Sequence, residues 1–171
     1  MYNFKVELPI SYFCKMLQPQ GDEYFMRQAL REAEMAFDAD EVPVGAVIVA
    51  KGIIIARGHN LTERLHDFTA HAEMQAFTAA SEYLGGKYLD QCTLYVTLEP
   101  CPMCAGAAFW TRIGKVVYGA PDLKRGFNRM QEQLKHDHVL HPKTEVVSGV
   151  MEEECATLIK EFFAKKRRAK L

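Results

Sequence analysis

Residues 97–107 of this 171-residue chain, TLEPCPMCAGA, place two cysteines three residues apart at the junction of two predicted elements. The β-branched and apolar run Cys92 to Thr97 predicts a strand, and Pro102 to Thr111 predicts a helix. Proline is tolerated where a helix begins, because its missing N–H has no intrahelical partner there. Cys101 and Cys104 should therefore lie on one face of the first turn, where the helix dipole favours thiolates.

A histidine and a glutamate two residues apart, His71 and Glu73, stand at the start of a second predicted helix, from about Thr69 to Leu84. A structural zinc site is normally closed by four ligands, and the sequence has no second Cys-x-x-Cys pair. We expect His71 to be the third ligand and one position to stay open. That arrangement is typical of catalytic zinc, which activates water, and Glu73 is expected to carry protons.

Simpler interpretations exist for each motif alone. An isolated His-x-Glu is usually a surface helix pair, and an isolated Cys-x-x-Cys is often redox-active or buried. The two motifs together favour the catalytic zinc. Four other histidines could form a rival cluster, but their polar, loop-like surroundings favour solvated side chains. They are His66, His136, His138 and His141.

The alternation of predicted elements indicates an α/β fold. An amphipathic helix over Asp22 to Ala39 is followed by a hairpin, Val44 to Ala50 and Ile53 to Arg57, with a turn at Lys51-Gly52. The remaining predictions are strands at Lys115 to Gly119 and near Val146-Val147, and a helix from Met151 to Arg168. Together they predict a three-layer α/β/α domain with a mixed five-stranded sheet. Residues 120–142 resist assignment beyond a helical turn at Met130 to Leu134.

The composition is that of a globular protein, with 49% hydrophobic and 25% charged residues and a net charge of −1. We expect a loosely ordered leader over residues 1–21 and one catalytic domain over 22–171. No run approaches the ~20 apolar residues that cross a membrane, and the first residues do not resemble a secretory signal. Five cysteines, an odd number, fit reduced thiols and a cytoplasmic protein. Six aromatic residues are expected in the core: Tyr24, Phe25, Phe37, Phe77, Tyr83 and Tyr95.

The end of the chain is basic. Its cations are Lys165, Lys166, Arg167, Arg168 and Lys170. Because Glu152 to Glu154 begin the same predicted helix, these charges could simply complement the helix dipole. A tail that contacts phosphates is the alternative, and the sequence leaves both open.

The His-x-Glu and Pro-Cys-x-x-Cys signatures resemble those of the zinc cytidine/deoxycytidylate deaminase superfamily, whose fold is cytidine-deaminase-like. Within it, the chain resembles the bacterial tRNA-specific adenosine deaminases from about Glu23 to Arg168. The resemblance is carried by EVPVGA at 41–46, TAHAE at 69–73, TLEPCPMCAGA at 97–107, RIG at 112–114 and VYGA at 117–120.

This resemblance implies hydrolytic deamination of the wobble adenosine, position 34, to inosine in a tRNA anticodon, typically of an arginine tRNA, with release of ammonia. It implies one zinc ion per subunit and a homodimer that binds the tRNA anticodon stem-loop. It also implies that Asn60 bonds the base or ribose, that the Ala72 N–H reads the base edge, and that Asp122 and Lys124 face the flanking backbone.

Two other functions remain open at this stage. Deamination of a free base or nucleoside, such as guanine or cytosine, would use the same zinc chemistry. A non-catalytic zinc module that binds RNA is the second alternative. Glu73 argues against it, because a purely structural site has no use for a proton carrier.

Overall fold

A computed structural model describes residues 20–134 and 138–169 of the chain. The predicted leader lies outside this range except for Gln20 and Gly21, as do His136 of the rival histidine cluster and Lys170 of the basic tail. Among the described residues, no helix is long and apolar enough to cross a membrane.

The predicted hairpin is confirmed. Helix α1 (Asp22–Asp38) precedes strands β1 (Gly45–Ala50) and β2 (Ile53–His59). The two residues of the connecting turn, Lys51 and Gly52, have positive φ values of 51° and 76°. Such turns suit the right-handed twist of paired strands, which is why the short Lys-Gly connection indicates a hairpin.

The rest of the described chain alternates helices and strands. In order, the elements are α2 (Thr62–Leu65), α3 (Ala72–Leu84), β3 (Cys92–Leu98), α4 (Pro102–Thr111), β4 (Lys115–Ala120), α5 (Phe127–Gln133), β5 (Glu145–Ser148) and α6 (Glu152–Arg168).

The five strands form one mixed sheet in the order β2-β1-β3-β4-β5. The first three strands in this order pair antiparallel, and β3, β4 and β5 pair parallel. Neighbouring residues point to opposite faces: Ile48 packs in the core under α3 and α4, and Val47 packs in the core under α1 and α6. The predicted three-layer α/β/α fold with a mixed five-stranded sheet is confirmed.

Several local predictions need correction. The second predicted helix starts at Ala72 rather than near Thr69, because His71 is extended and the preceding residues form a turn on the Asp67 carboxylate. The helical turn expected from Met130 is part of α5, which starts at Phe127, and α2 was not predicted at all.

Two of the six aromatic residues expected in the core lie at the surface, so those predictions are wrong: the exposed fractions are 43% for Tyr24 and 66% for Tyr83. Tyr24 borders the buried Phe25 on α1, and Tyr83 stands in the last turn of α3, where the helix leaves the sheet.

A glycine in β2 determines how closely α3 lies on the sheet. A Cβ atom on Gly58 would stand 2.4 Å from the backbone oxygen of Ala72 and 2.9 Å from the backbone nitrogen of Ala76. Only glycine permits this approach, which places the first turn of α3, and His71 just before it, at the edge of the sheet.

Candidate metal centre and pocket

Two helix N-termini meet at the candidate metal centre. His71 is the extended residue before α3, and Cys101 is the extended residue before α4. The His71 Nδ1 atom lies 3.5 Å from Cys104 Sγ and 3.7 Å from Cys101 Sγ. All three potential ligand atoms lie within 4.8 Å of one another. Within residues 20–134 and 138–169, no other group of three His, Cys, Asp or Glu residues is placed in this way.

The surroundings favour a thiolate at this centre. Hydrogen bonds from the Cys104 thiol and then from His71 lower the pKa of Cys101 to about 4. The bond with Cys101 raises the pKa of His71, and the bond with Cys101 together with burial raises the pKa of Cys104. A positive helix N-terminus adds to the stabilisation of a thiolate.

The donor set fits zinc. An imidazole nitrogen and two cysteine sulfurs are ligands that Zn²⁺ prefers, and three protein ligands leave one coordination position for a water or substrate. The sequence-predicted ligands His71, Cys101 and Cys104 are therefore brought together in a form that could hold the ion.

Glu73 lies beside this centre in the first turn of α3 and is 3% exposed. Burial is the main influence on its carboxyl and raises its pKa, while hydrogen bonds from its own backbone N–H and from Cys104 act in the opposite direction. A carboxyl group with a raised pKa can both accept and release a proton near neutral pH.

A cavity of about 650 Å³ opens above the centre. Its lining includes His71, Glu73, Cys101 and all four residues predicted to contact substrate. These four are Asn60, Ala72, Asp122 and Lys124. The structure thus gathers residues from three separate parts of the sequence, and their individual contacts with a substrate remain predictions.

Each of these four residues reaches the cavity from a defined backbone position. Ala72 is the first residue of α3, where an N–H has no intrahelical acceptor. Asn60 follows β2, and Asp122 and Lys124 lie between β4 and α5. Ile159 and Phe163 of α6 complete the wall, so the C-terminal helix takes part in the pocket.

Two buried glutamates support the pocket walls, and the sequence analysis missed both as site residues. Glu41 is 1% exposed and accepts hydrogen bonds from the segment 60–64. Glu99 is 5% exposed and accepts hydrogen bonds from the backbone N–H groups of Asp122 at 3.0 Å and Asn128 at 2.9 Å. The available signal was a lone carboxylate inside each largely apolar motif, since a buried charge needs nearby donors.

The basic end of α6 also makes contacts within the chain. Lys166 forms an ion pair with Asp40, and the Lys165 ammonium lies 5.1 Å from the centre of the Phe37 ring. The helix begins with three acidic residues and ends with four basic ones. The described part of the tail is therefore both a helix end that complements the dipole and a positively charged surface near the pocket wall.

Comparison with known proteins gives consistent similarities. A family model described as the cytidine and deoxycytidylate deaminase zinc-binding region matches residues 19–120. The tRNA-specific adenosine deaminase of Bacillus subtilis strain 168 is 48% identical over 149 residues, which cover 87% of this chain and 92% of that protein.

Solved structures show the same fold. One, from work on A-to-I editing by tRNA:A34 deaminases at the wobble position of transfer RNA, is 44% identical with a TM-score of 0.73 and covers 79% of this chain and 98% of its own. A guanine deaminase from Bacillus subtilis is 35% identical with a TM-score of 0.60 and covers 72% of this chain and 82% of its own.

Proposed function

This chain belongs to the cytidine and deoxycytidylate deaminase family and, within it, to the tRNA-specific adenosine deaminases, and we propose that it deaminates adenosine in tRNA. The proposed substrate is the wobble adenosine, position 34, of an anticodon, first of all that of an arginine tRNA. Water is consumed, and the products are inosine in the tRNA and ammonia. The main support is the placement of His71, Glu73 and the two cysteines in one pocket of a chain so similar to these enzymes.

The proposed chemistry divides the roles among four residues. His71, Cys101 and Cys104 hold one zinc ion per subunit, which supplies a water activated for attack at neutral pH. The Glu73 carboxylate accepts a proton from the attacking water and delivers it to the adenine ring. It then protonates the amine that leaves C6. Burial of Glu73 suits this cycle, because a raised pKa keeps the transferred proton available.

The pocket dictates how RNA must enter. A base within a stack cannot present C6 to the bottom of a pocket, so adenosine 34 must be splayed out of the anticodon loop. In this pose Asn60 bonds the base or ribose, and the Ala72 N–H reads the base edge. Asp122 and Lys124 face the flanking backbone of the tRNA anticodon stem-loop.

A homodimer is part of the proposal, with the partner subunit completing the tRNA surface. Its support is a set of large apolar side chains at the surface, including Phe68 at 91%, Leu123 at 83% and Trp110 at 78% exposure. Leu123 lies between two pocket-lining residues, so a subunit docked there would border the substrate. We also place the enzyme in the cytoplasm, in keeping with the free cysteines at 92, 101, 104 and 155.

Deamination of a free base is the competing function, because the similar guanine deaminase has this fold too. The deciding experiment offers zinc-loaded protein an arginine tRNA with an ACG anticodon beside free adenosine, guanine and cytosine. Inosine at the wobble position alone supports tRNA deamination, and turnover of a free base instead replaces the proposed substrate. Binding of tRNA without any turnover indicates a non-catalytic zinc module.

The division of roles has its own test in two variants. Glu73→Ala should retain zinc and lose deamination by a factor of about 10² to 10⁴, the usual value of a general acid–base group. Cys101→Ala should lose the metal as well as the activity. Metal analysis by mass spectrometry, together with the inosine assay, distinguishes them. Equal loss of zinc from both proteins would contradict the assignment of Glu73 as a proton carrier.

A further inference from the structure

Glu41 has an unusual environment for a buried carboxylate. It lies between α1 and β1, 1% exposed, and its own backbone N–H donates to the Ala36 oxygen at 2.9 Å. No Lys, Arg or His of the described residues forms an ion pair with it within 4.0 Å. Since a buried charge without compensation is costly, its surroundings must supply donors instead.

The donors all come from one short segment beside the pocket. The Oε2 atom accepts hydrogen bonds from Asn60 Nδ2 at 3.0 Å, Thr62 Oγ1 at 3.3 Å and the Glu63 backbone N–H at 3.1 Å. The Oε1 atom accepts one from the Arg64 backbone N–H at 2.8 Å. Four donors match the roughly four lone-pair sites of a carboxylate, so Glu41 is satisfied by this segment alone.

These contacts fix the side-chain amide of Asn60. A carboxylate is only an acceptor, so the NH₂ end of the amide has to face Glu41. The same nitrogen lies 3.0 Å from Thr62 Oγ1, and the Asn60 backbone N–H donates to the Val44 oxygen at 3.0 Å. The amide therefore cannot turn over by 180° without placing its oxygen against the carboxylate, and it presents the same atoms to whatever enters the pocket.

We propose that Glu41 is a positioning residue for substrate binding, because its buried carboxylate holds Asn60 and the start of α2 in the arrangement that forms one wall of the pocket. This proposal rests on the proposed function in one respect, namely that Asn60 contacts the substrate. Glu41 itself does not reach the reacting atoms. Its effect is preorganisation: it locks a contacting side chain that would otherwise adopt more than one orientation.

The substitution Glu41→Gln removes this control while keeping the shape of the side chain. One acceptor oxygen becomes an NH₂ donor. If that donor faces Arg64, the backbone N–H there loses its acceptor. If it faces Asn60, the Asn60 amide must turn over or lose its hydrogen bond. Either outcome loosens the segment 60–64.

A double-mutant cycle with Asn60→Ala tests whether Glu41 acts through Asn60. We expect Glu41→Gln to lower kcat/KM by about 10-fold or more, the value of a hydrogen bond to a charged group, with KM raised more than kcat is lowered. In the Asn60→Ala background the same substitution should change kcat/KM by less than about 3-fold, because the side chain to be held is gone.

The matched control is Glu32→Gln. Glu32 is also buried, at 7% exposure, and its carboxylate contacts Arg57 and His59 on the α1 side of the sheet without touching Asn60. Its effect on kcat/KM should be the same with and without Asn60. If Glu41→Gln also has equal effects in both backgrounds, the positioning role is wrong and Glu41 only stabilises the fold.

Hydrogen exchange gives a readout that does not depend on the substrate. Glu41→Gln should speed amide exchange at Glu63 and Arg64, and leave Asp122 and Asn128, whose acceptor is Glu99, unchanged. Unchanged exchange at 63 and 64 overturns the proposal. A wild-type protein inactive on tRNA overturns the proposed function while leaving this exchange result intact. If Glu41→Gln does not fold, Thr62→Val serves in the same cycle, because it removes the hydroxyl that bridges Asn60 and Glu41.

Discussion

Gly58→Ala places a methyl group between β2 and α3 and should disturb both stability and the metal centre. The new Cβ would lie 2.4 Å from the Ala72 oxygen and 2.9 Å from the Ala76 nitrogen, whereas ordinary contacts begin at 3.4 Å. Both obstructing atoms belong to the backbone, so a rotamer change cannot relieve the overlap. Helix α3 has to shift outward by about 1 Å, which a close-packed interior resists.

The expected cost follows from that shift. Overpacking of this kind costs about 1–3 kcal/mol of unfolding free energy. For a chain of this length, each kcal/mol lowers Tm by about 2–4 °C. His71 precedes the displaced turn, and a misplacement of about 1 Å can reduce turnover about 10²-fold. We therefore expect the activity of the zinc-loaded variant at 25 °C to fall far more than the small unfolded fraction could explain.

Thermal unfolding and the deamination assay, both on zinc-loaded protein, measure the two effects. Gly106→Ala in α4 is the matched control: a Cβ there meets no atom within 4 Å, and alanine in place of glycine in a helix should add about 0.5–1 kcal/mol. The reasoning fails if Gly58→Ala melts within 1 °C of the wild type, about the precision of the method, and keeps full activity.

Two further predictions concern a buried thiol and the basic tail. Burial raises the pKa of Cys155 to about 12, from a usual value of 9.0. Because the unfolded thiol ionises first, the contribution of Cys155 to stability is complete below about pH 9 and is lost between pH 9 and 12. Urea unfolding from pH 8 to 11 should show a shallower decline for Cys155→Ala, and parallel declines would refute this. Deleting residues 165–171 should weaken tRNA binding and flatten its salt dependence by about 0.7–1 in slope per lost phosphate contact; an unchanged slope would make the tail a helix end only.

The sequence was most informative where the deciding interactions are local. Lys51-Gly52 predicts its hairpin because the turn conformation depends on those two residues themselves. Cys101 and Cys104 were correctly expected on one helix start, because a proline and a three-residue spacing fix their relation. The meeting of these cysteines with His71 was inferred from ligand chemistry, and it depends on the sheet that carries both helices.

The sequence was least informative where distant residues supply the hydrogen bonds. Helix α2 has no side-chain cap of its own, and its first N–H groups bond to Glu41, 22 and 23 positions earlier in the chain. The segment before α5 is likewise held by Glu99. A Cβ on Gly126 would lie 2.2 Å from the Glu99 carboxyl carbon, so a glycine that looked like loop punctuation makes room for that anchor.

The two outer strands of the sheet carry protection against aggregation. In β2 the pairing with β1 shifts between Ile48 and Val49, leaving Ile55 as a bulge, and bulged edges are poor templates for another strand. At the opposite edge, β5 is only four residues long and begins with the exposed Glu145. Neither edge invites a second copy to extend the sheet. Two subunits that associate are therefore expected to meet through helices and loops, and a crowded pool of this protein should resist fibril formation.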